Sequence, residues 1–242
     1  MADIEKTPPG WGVDSLSNFI NVSIQNTFAV FVRLPNEYQR LLDIDTAYLK
    51  ITGNLTNSPD WFSIFFLYHA HSAFRGSARM ALSGQTAETY ALLRCCLEST
   101  LYGLYVSKNP DSQEIWLRRN DDEKCKSQCK SMFTIKNVQE CLKDIDTKLF
   151  NATNKLYNKA IDWGGHPNER ALFQNLAHTA INDQAMNIRY DYLSAGELPH
   201  ILCMKRTAQV GVCSLKIFRY VFSERFDILG ISEMITAMEQ GL

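Results

Sequence analysis

No stretch of the 242-residue chain is apolar for long enough to cross a bilayer as a helix. The longest apolar run, WFSIFFLYHA, is far shorter than the roughly 20 residues a span requires. Neither charge dominates: the formal net charge is -1. That excludes the global basic field on which non-specific nucleic-acid binding depends, although a local basic patch remains open. The G-x-S-x-G elbow, the Walker-type glycine loop and the dinucleotide fingerprint are all missing, which removes the common hydrolase and NTPase readings. The seven cysteines are odd in number and lack framework spacing, so they fit no disulfide scaffold. With no apolar core in MADIEKTPPGW to mark a secretory signal, the expected compartment is cytoplasmic and reducing, with no membrane partner.

What the sequence does have is helical periodicity. Leu41, Ile44, Tyr48, Ile51 and Leu55 recur every three or four residues. So do Ile135, Val138, Leu142, Ile145, Leu149, Ala152 and Leu156, and so do Ile201, Met204, Ala208, Gly211, Leu215, Phe218 and Phe222. Each row is one apolar helix face that needs a partner surface. The last two are long enough to be pillars of a bundle, and Gly211 within the third predicts a close helix crossing. SPDW predicts a helix start capped by Ser58 with Pro59 in its first turn. Polar turn residues at Asn182–Asp183, flanked by alternation, predict an irregular excursion or β-hairpin near 170–193. The expectation is an all-α bundle of six or seven helices in one domain, 1–242, with 1–12 as a flexible N-terminal arm.

Trp61–Ser83 and Thr86–Ser107 are nearly apolar all round and joined by a short turn at Gly84–Gln85. They predict a buried antiparallel hairpin at the centre of the bundle. Yet they carry charge. His71, Arg75 and Arg79 step by four along the first segment, and Arg94 and Glu98 do so along the second. Counting outward from the turn sets Arg75 near Arg94 and His71 near Glu98. If the two rows converge, Arg75, Arg79, Arg94 and Glu98 form an interior polar cluster with His71. A buried ion without a partner costs several kcal/mol. The cluster is therefore either a structural network or a pocket for an anionic small molecule, whose oxygens suit the planar guanidinium fork.

Other candidates are thinner. GGHPN places His166 and Asn168 in a tight turn, where a histidine acts as general acid or base and an asparagine orients a substrate; the plainer reading is a helix stop. Arg118 and Arg119 in WLRRND read as solvated surface that could supplement an anion site. Cys125 and Cys129 lie one turn apart without a matching second pair, so no metal and no cofactor is expected.

The run HSAFRGSARMALSGQTAETYALLRCCLESTLYGLYVSKNP, the later WLRR and GGHPN, and the tail GVCSLKIFRYVFSERF together resemble a family of bacterial all-helical cytoplasmic proteins without assigned chemistry. The resemblance runs from about residue 40 onward and implies an all-helical fold. A looser similarity is to the HEPN superfamily of helical bundles, many of them RNases of toxin and antiphage systems. Those nucleases place an Arg four to six residues before a His, and no histidine of this chain has that neighbour. The expected function is therefore a non-enzymatic binding or interaction protein. A metal-independent HEPN-like ribonuclease, with Arg75, Arg79 and Arg94 on phosphate charge and His71 or His166 moving the proton, is one alternative. A structural homo-oligomer is the other.

Overall fold

The computed structural model describes residues 7–55, 58, 60–165, 169–173, 175–182, 185–196, 198–240 and 242, with backbone alone over the described part of 177–187. Helix α1 (Ser15–Arg33) begins where the Asp14 carboxylate accepts the backbone N–H groups of Leu16 and Ser17. Of the expected flexible arm, 1–6 lie outside the described residues. The rest is a turn held to the helix: Trp11 N–H donates to the Pro8 carbonyl, and Gly12 N–H to Ser17 Oγ. Helix α2 (Pro35–Thr52) follows at once, with Pro35 in the first-turn position that its fixed φ suits. It buries Leu41, Ile44, Tyr48 and Ile51 of the stripe read from the sequence, while Leu55 lies beyond the helix and is half-buried.

Helices α3 (Trp61–Ser83) and α4 (Thr86–Lys108) form the central hairpin. Its turn depends on Gly84, whose φ of +87° few other residues adopt; a Cβ there would also stand 2.0 Å from the Ser194 carbonyl oxygen. The start of α3 differs from the expected Ser58 cap. The helix begins at Trp61, and Pro59 is outside the described residues. Asp60, in the capping position, accepts from Ser107 Oγ at 2.8 Å, which ties the start of α3 to the end of α4 instead.

Short helices α5 (Asp111–Leu117) and α6 (Glu123–Met132), joined through a 3₁₀ turn at Arg118–Asn120, follow, with α5 packed on α4 and α6 on α5. There Trp116 and Phe133 pack edge to face, 4.7 Å between ring centroids, and both touch Tyr102. The stripe from Ile135 to Leu156 is not one helix. It is cut into α7 (Ile135–Ile145) and α8 (Thr147–Ala160) at Asp146, whose carboxylate accepts from Leu149 N–H and from the Tyr220 hydroxyl. Both helices pack on α4, and Val138, Leu142, Leu149 and Leu156 of the stripe are buried, but Ile145 and Ala152 on either side of the break are exposed.

After a π turn at Ile161–Gly165 and α9 (Glu169–Phe173), the excursion is a hairpin. Strands β1 (Leu176–Asn182) and β2 (Ala185–Tyr190) pair antiparallel, with Leu176 opposite Tyr190. Helix α10 (Leu198–Arg219) then runs through the core against α2, α3, α4 and α8, followed by α11 (Ser223–Ile228) and α12 (Ile231–Met238). At Gly211 a Cβ would meet Ile44 Cγ2 and Phe74 Cε2, each at 2.7 Å, so the crossing expected there is present. The protein is all-α apart from the β-hairpin. It has more helices than the periodicity suggests, because α5, α6, α9, α11 and α12 are too short to show a period. Among the described residues no helix is long and apolar enough to cross a membrane.

Candidate functional site

The axial register of the central hairpin is close to the count from its turn. Ser63 Oγ donates to the Gly103 carbonyl at 2.9 Å, His69 Nδ1 lies 2.7 Å from Ser99 Oγ, and Gly76 packs on Leu92. The rotation is another matter. The two charged rows point to different neighbours, so the expected single interior cluster is two separate ones.

The first cluster is built on α2 and α3. Asp45 Oδ1 lies 2.7 Å from both His71 Nε2 and Arg75 Nε, and Asp45 Oδ2 accepts from Arg75 Nη2 at 2.9 Å. His71 is buried with its ring stacked on Tyr48, while the Arg75 side chain is 53% exposed. Burial raises the Asp45 carboxyl, but the bonds from Arg75 and His71 outweigh it and hold the group below the usual carboxylate range. Burial also pushes His71 below its ordinary value against the pull of Asp45, so the neutral ring donates Nε2–H to the carboxylate. All three groups are satisfied by one another, as in a structural tie between α2 and α3.

The second cluster joins α4 to α8. Arg94 Nε donates to Glu98 Oε1 at 2.8 Å, and the same oxygen accepts from the Tyr157 hydroxyl at 2.8 Å. The Arg94 guanidinium lies 5.8 Å from the Tyr157 ring centroid. Burial and the Glu98 carboxylate push the Tyr157 hydroxyl up to about 12. Both charged side chains are about one-third exposed, so the pair is half-buried and not interior. Arg79 is exposed. His166 and Asn168 lie outside the described residues.

A concavity with the composition of a ligand site lies beside Glu98. A groove of about 530 Å³ opens between α3, α4 and α5. Phe62, Phe65, Phe66, Tyr102 and Trp116 make its apolar wall, and His69, Cys95, Glu98 and Ser99 face it as the polar part. Few polar groups in an aromatic concavity of this size are the usual composition of a small-molecule site. The Ser99 hydroxyl donates its one proton to the Cys95 carbonyl at 2.7 Å. With that proton so placed, His69 Nδ1 supplies the hydrogen of the His69–Ser99 bond, and in the neutral ring Nε2 is then an acceptor. Arg119 sits 5.7 Å from the Trp116 ring centroid at the rim. Burial raises the Tyr102 hydroxyl, Glu98 and Cys129 add to this, and Arg119 and Arg94 oppose it. Burial raises the Cys95 thiol too, which keeps it protonated and unreactive.

Of the sequence candidates among the described residues, only Glu98 lines this groove. His69, not His71, faces this groove. Phe62, Phe65, Phe66 and His69 share one face of α3 by their three- and four-residue steps, and Cys95, Glu98, Ser99 and Tyr102 share one face of α4. Among the described residues no group of His, Cys, Asp and Glu gathers to hold a metal ion. The chain matches no protein-family model, no curated protein and no solved structure.

Proposed function

We propose that the protein is a non-enzymatic binding protein that takes a planar, mostly apolar small molecule into the α3/α4 groove. The observation that carries this reading is the His69–Ser99 pair set in an aromatic wall, which leaves His69 Nε2 as a fixed acceptor beside the Glu98 carboxylate. An occupant would stack on Phe65 and Trp116 and present an N–H edge to His69. Arg94 and Tyr157 neutralise and orient Glu98 in this scheme, and so serve as positioning residues. The test is quenching of Trp116 emission by indole, adenine and guanosine, with Trp116→Phe as the optical control. At least one compound should bind saturably, and His69→Ala should weaken it about five- to tenfold, the worth of one hydrogen bond. If none binds below about 1 mM, or if His69→Ala changes nothing, the reading fails.

Homo-oligomerisation is a second reading, and α1 favours it. From Ser15 to Val32 the helix has no charged residue, and Leu16, Phe28, Phe31 and Val32 are each more than half exposed. A contiguous apolar face along a helix about 28 Å long suits an equally uncharged surface, such as the same helix of a second copy. Light scattering should then give a mass of twice 27.6 kDa that Phe28→Lys/Phe31→Lys halves. A monomer for the unaltered chain would exclude it.

A further inference from the structure

Helices α8 and α10 pack against each other. Within their ranges they carry Lys148, Lys155, Lys159, Lys205, Arg206, Lys216 and Arg219, and neither contains an Asp or a Glu. In a chain whose net charge is -1 this is a marked local excess. The excess is not evenly neutralised. Lys216 pairs with Glu239 at 2.6 Å, and Arg219 with Asp227 at 3.4 Å. Lys155, Lys159 and Arg206 have no ion pair among the described residues, and these three line one cavity of about 360 Å³ between the helices.

The cavity has a built character. Leu156 and Val212 give it an apolar floor. Gln209 accepts from Arg206 Nη1 through its amide oxygen and donates to a main-chain oxygen of Leu242, the last residue of the sequence, at the cavity's edge. The carboxylate at its wall, Glu239, is the one engaged by Lys216. Lys155 and Lys159 stand one turn apart on α8, an arrangement of like charges that costs an isolated helix a few tenths of a kcal/mol. Arg206 on α10 adds a third positive charge to the same concavity. An anion removes that repulsion. The arginine fork meets two of its oxygens, the lysines add point charges, and the floor covers an apolar body.

We infer that this cavity binds a small organic anion with a phosphate or carboxylate head and a short apolar body. The site shares no lining residue with the aromatic groove and does not rest on the reading of that groove. The probe is monomeric octyl phosphate, followed by titration calorimetry, with octanol and inorganic phosphate as half-ligands. One octyl phosphate should bind per chain, and each half-ligand should bind at least about tenfold more weakly. Arg206→Gln and Lys155→Gln/Lys159→Gln should each weaken binding about tenfold. Lys130→Gln/Lys136→Gln, which removes two charges from exposed positions of α6 and α7, should leave it within about twofold. These cavity variants lie on exposed or half-exposed side chains, so folding is retained and checked by circular dichroism.

Equal weakening by the α6/α7 control would reduce the site to diffuse surface charge and overturn the inference. Loss of binding in His69→Ala would move the ligand to the aromatic groove and overturn it as well. Sedimentation with phosphatidate-containing vesicles, without an isotherm for monomeric octyl phosphate, would reassign the cations to a lipid surface and also count against it.

Discussion

The Tyr48 and His71 rings lie parallel, 4.8 Å apart at their centroids and 7° from coplanar, so α2 and α3 meet through a stacked pair at the core. The hydroxyl of Tyr48 continues the contact. It donates to Ser214 Oγ on α10, and Ser214 in turn bonds Thr100 Oγ1 on α4, all fully or nearly fully buried. Four helices are thus tied by one chain of polar groups inside an apolar core. Tyr48→Phe keeps the stack and removes the first link. Leaving Ser214 short of a partner costs about 1–2 kcal/mol, which in a chain of this length lowers the melting temperature by roughly 2–8 °C. An unchanged melting temperature would mean that the buried chain contributes nothing.

Acid should destabilise the fold earlier than carboxylate titration alone would. His71 and His200 are both buried, and burial lowers each below the ordinary histidine value of 6.5; Asp45 and the Ala81 carbonyl respectively offset this only in part, and Arg75 adds to the lowering at His71. His200 Nε2 donates to the Ala81 carbonyl at 2.7 Å while Nδ1 accepts from Gly196 N–H, so added protons have no place to go. The unfolded chain binds these two protons more readily than the native one. Stability is therefore full above 6.5 and declines as pH falls below it toward the depressed native values. Asp45 acts later, because its lowered carboxyl holds its contribution until pH drops below 3.8. Urea midpoints should fall between about pH 7.5 and 5.5, and the slope should flatten in His71→Asn/His200→Asn. The same slope in that variant would sink the assignment to these two rings.

Much of the core was legible because apolar period and burial coincide. The stripe of α2 and most of that of α10 are buried, and the hairpin register follows from SGQT, since a short turn leaves little freedom along the helix axes. The azimuth of the charged rows was not legible. Both central helices are apolar on nearly every face, so their own pattern does not say which way a charge points. Asp45 on α2 and Tyr157 on α8 decide it, and each is distant in sequence from the side chain it binds. The break at Asp146 was hidden for a related reason: α7 and α8 share one apolar partner, α4, so their buried rows read as one stripe in the sequence although Ile145 and Ala152 of it are exposed.

At Gly211 propensity and packing act in opposite directions. Alanine would gain about 1 kcal/mol in helix propensity over glycine. Its Cβ would press on Ile44 and the Phe74 ring at 2.7 Å, and both of those side chains are about 1% exposed with nowhere to move. Overpacking of this kind costs about 1–3 kcal/mol. Gly211→Ala should therefore be destabilising, by up to about 2 kcal/mol in chemical denaturation. A stabilised variant would mean that α2 and α3 can shift away from α10, and that the crossing is looser than its contacts imply.

The exposure of Arg94 decides how much its pair with Glu98 is worth. A fully buried pair broken on one side costs about 3–5 kcal/mol, because the other charge is stranded away from water. Here both side chains keep about one-third of their surface, so solvent can take over the carboxylate when the arginine is lost. Exposed and half-exposed pairs of this geometry contribute about 0–1 kcal/mol. Arg94→Met, which keeps the stem that packs along α4, should lower stability by no more than that. The same substitution frees Glu98 to swing, held then by the Tyr157 hydroxyl alone among the bonds described above, and the carboxylate faces the aromatic groove. Ligand affinity there should change more than stability does. A loss of several kcal/mol of stability instead would make the pair a structural tie and remove its positioning role at the groove.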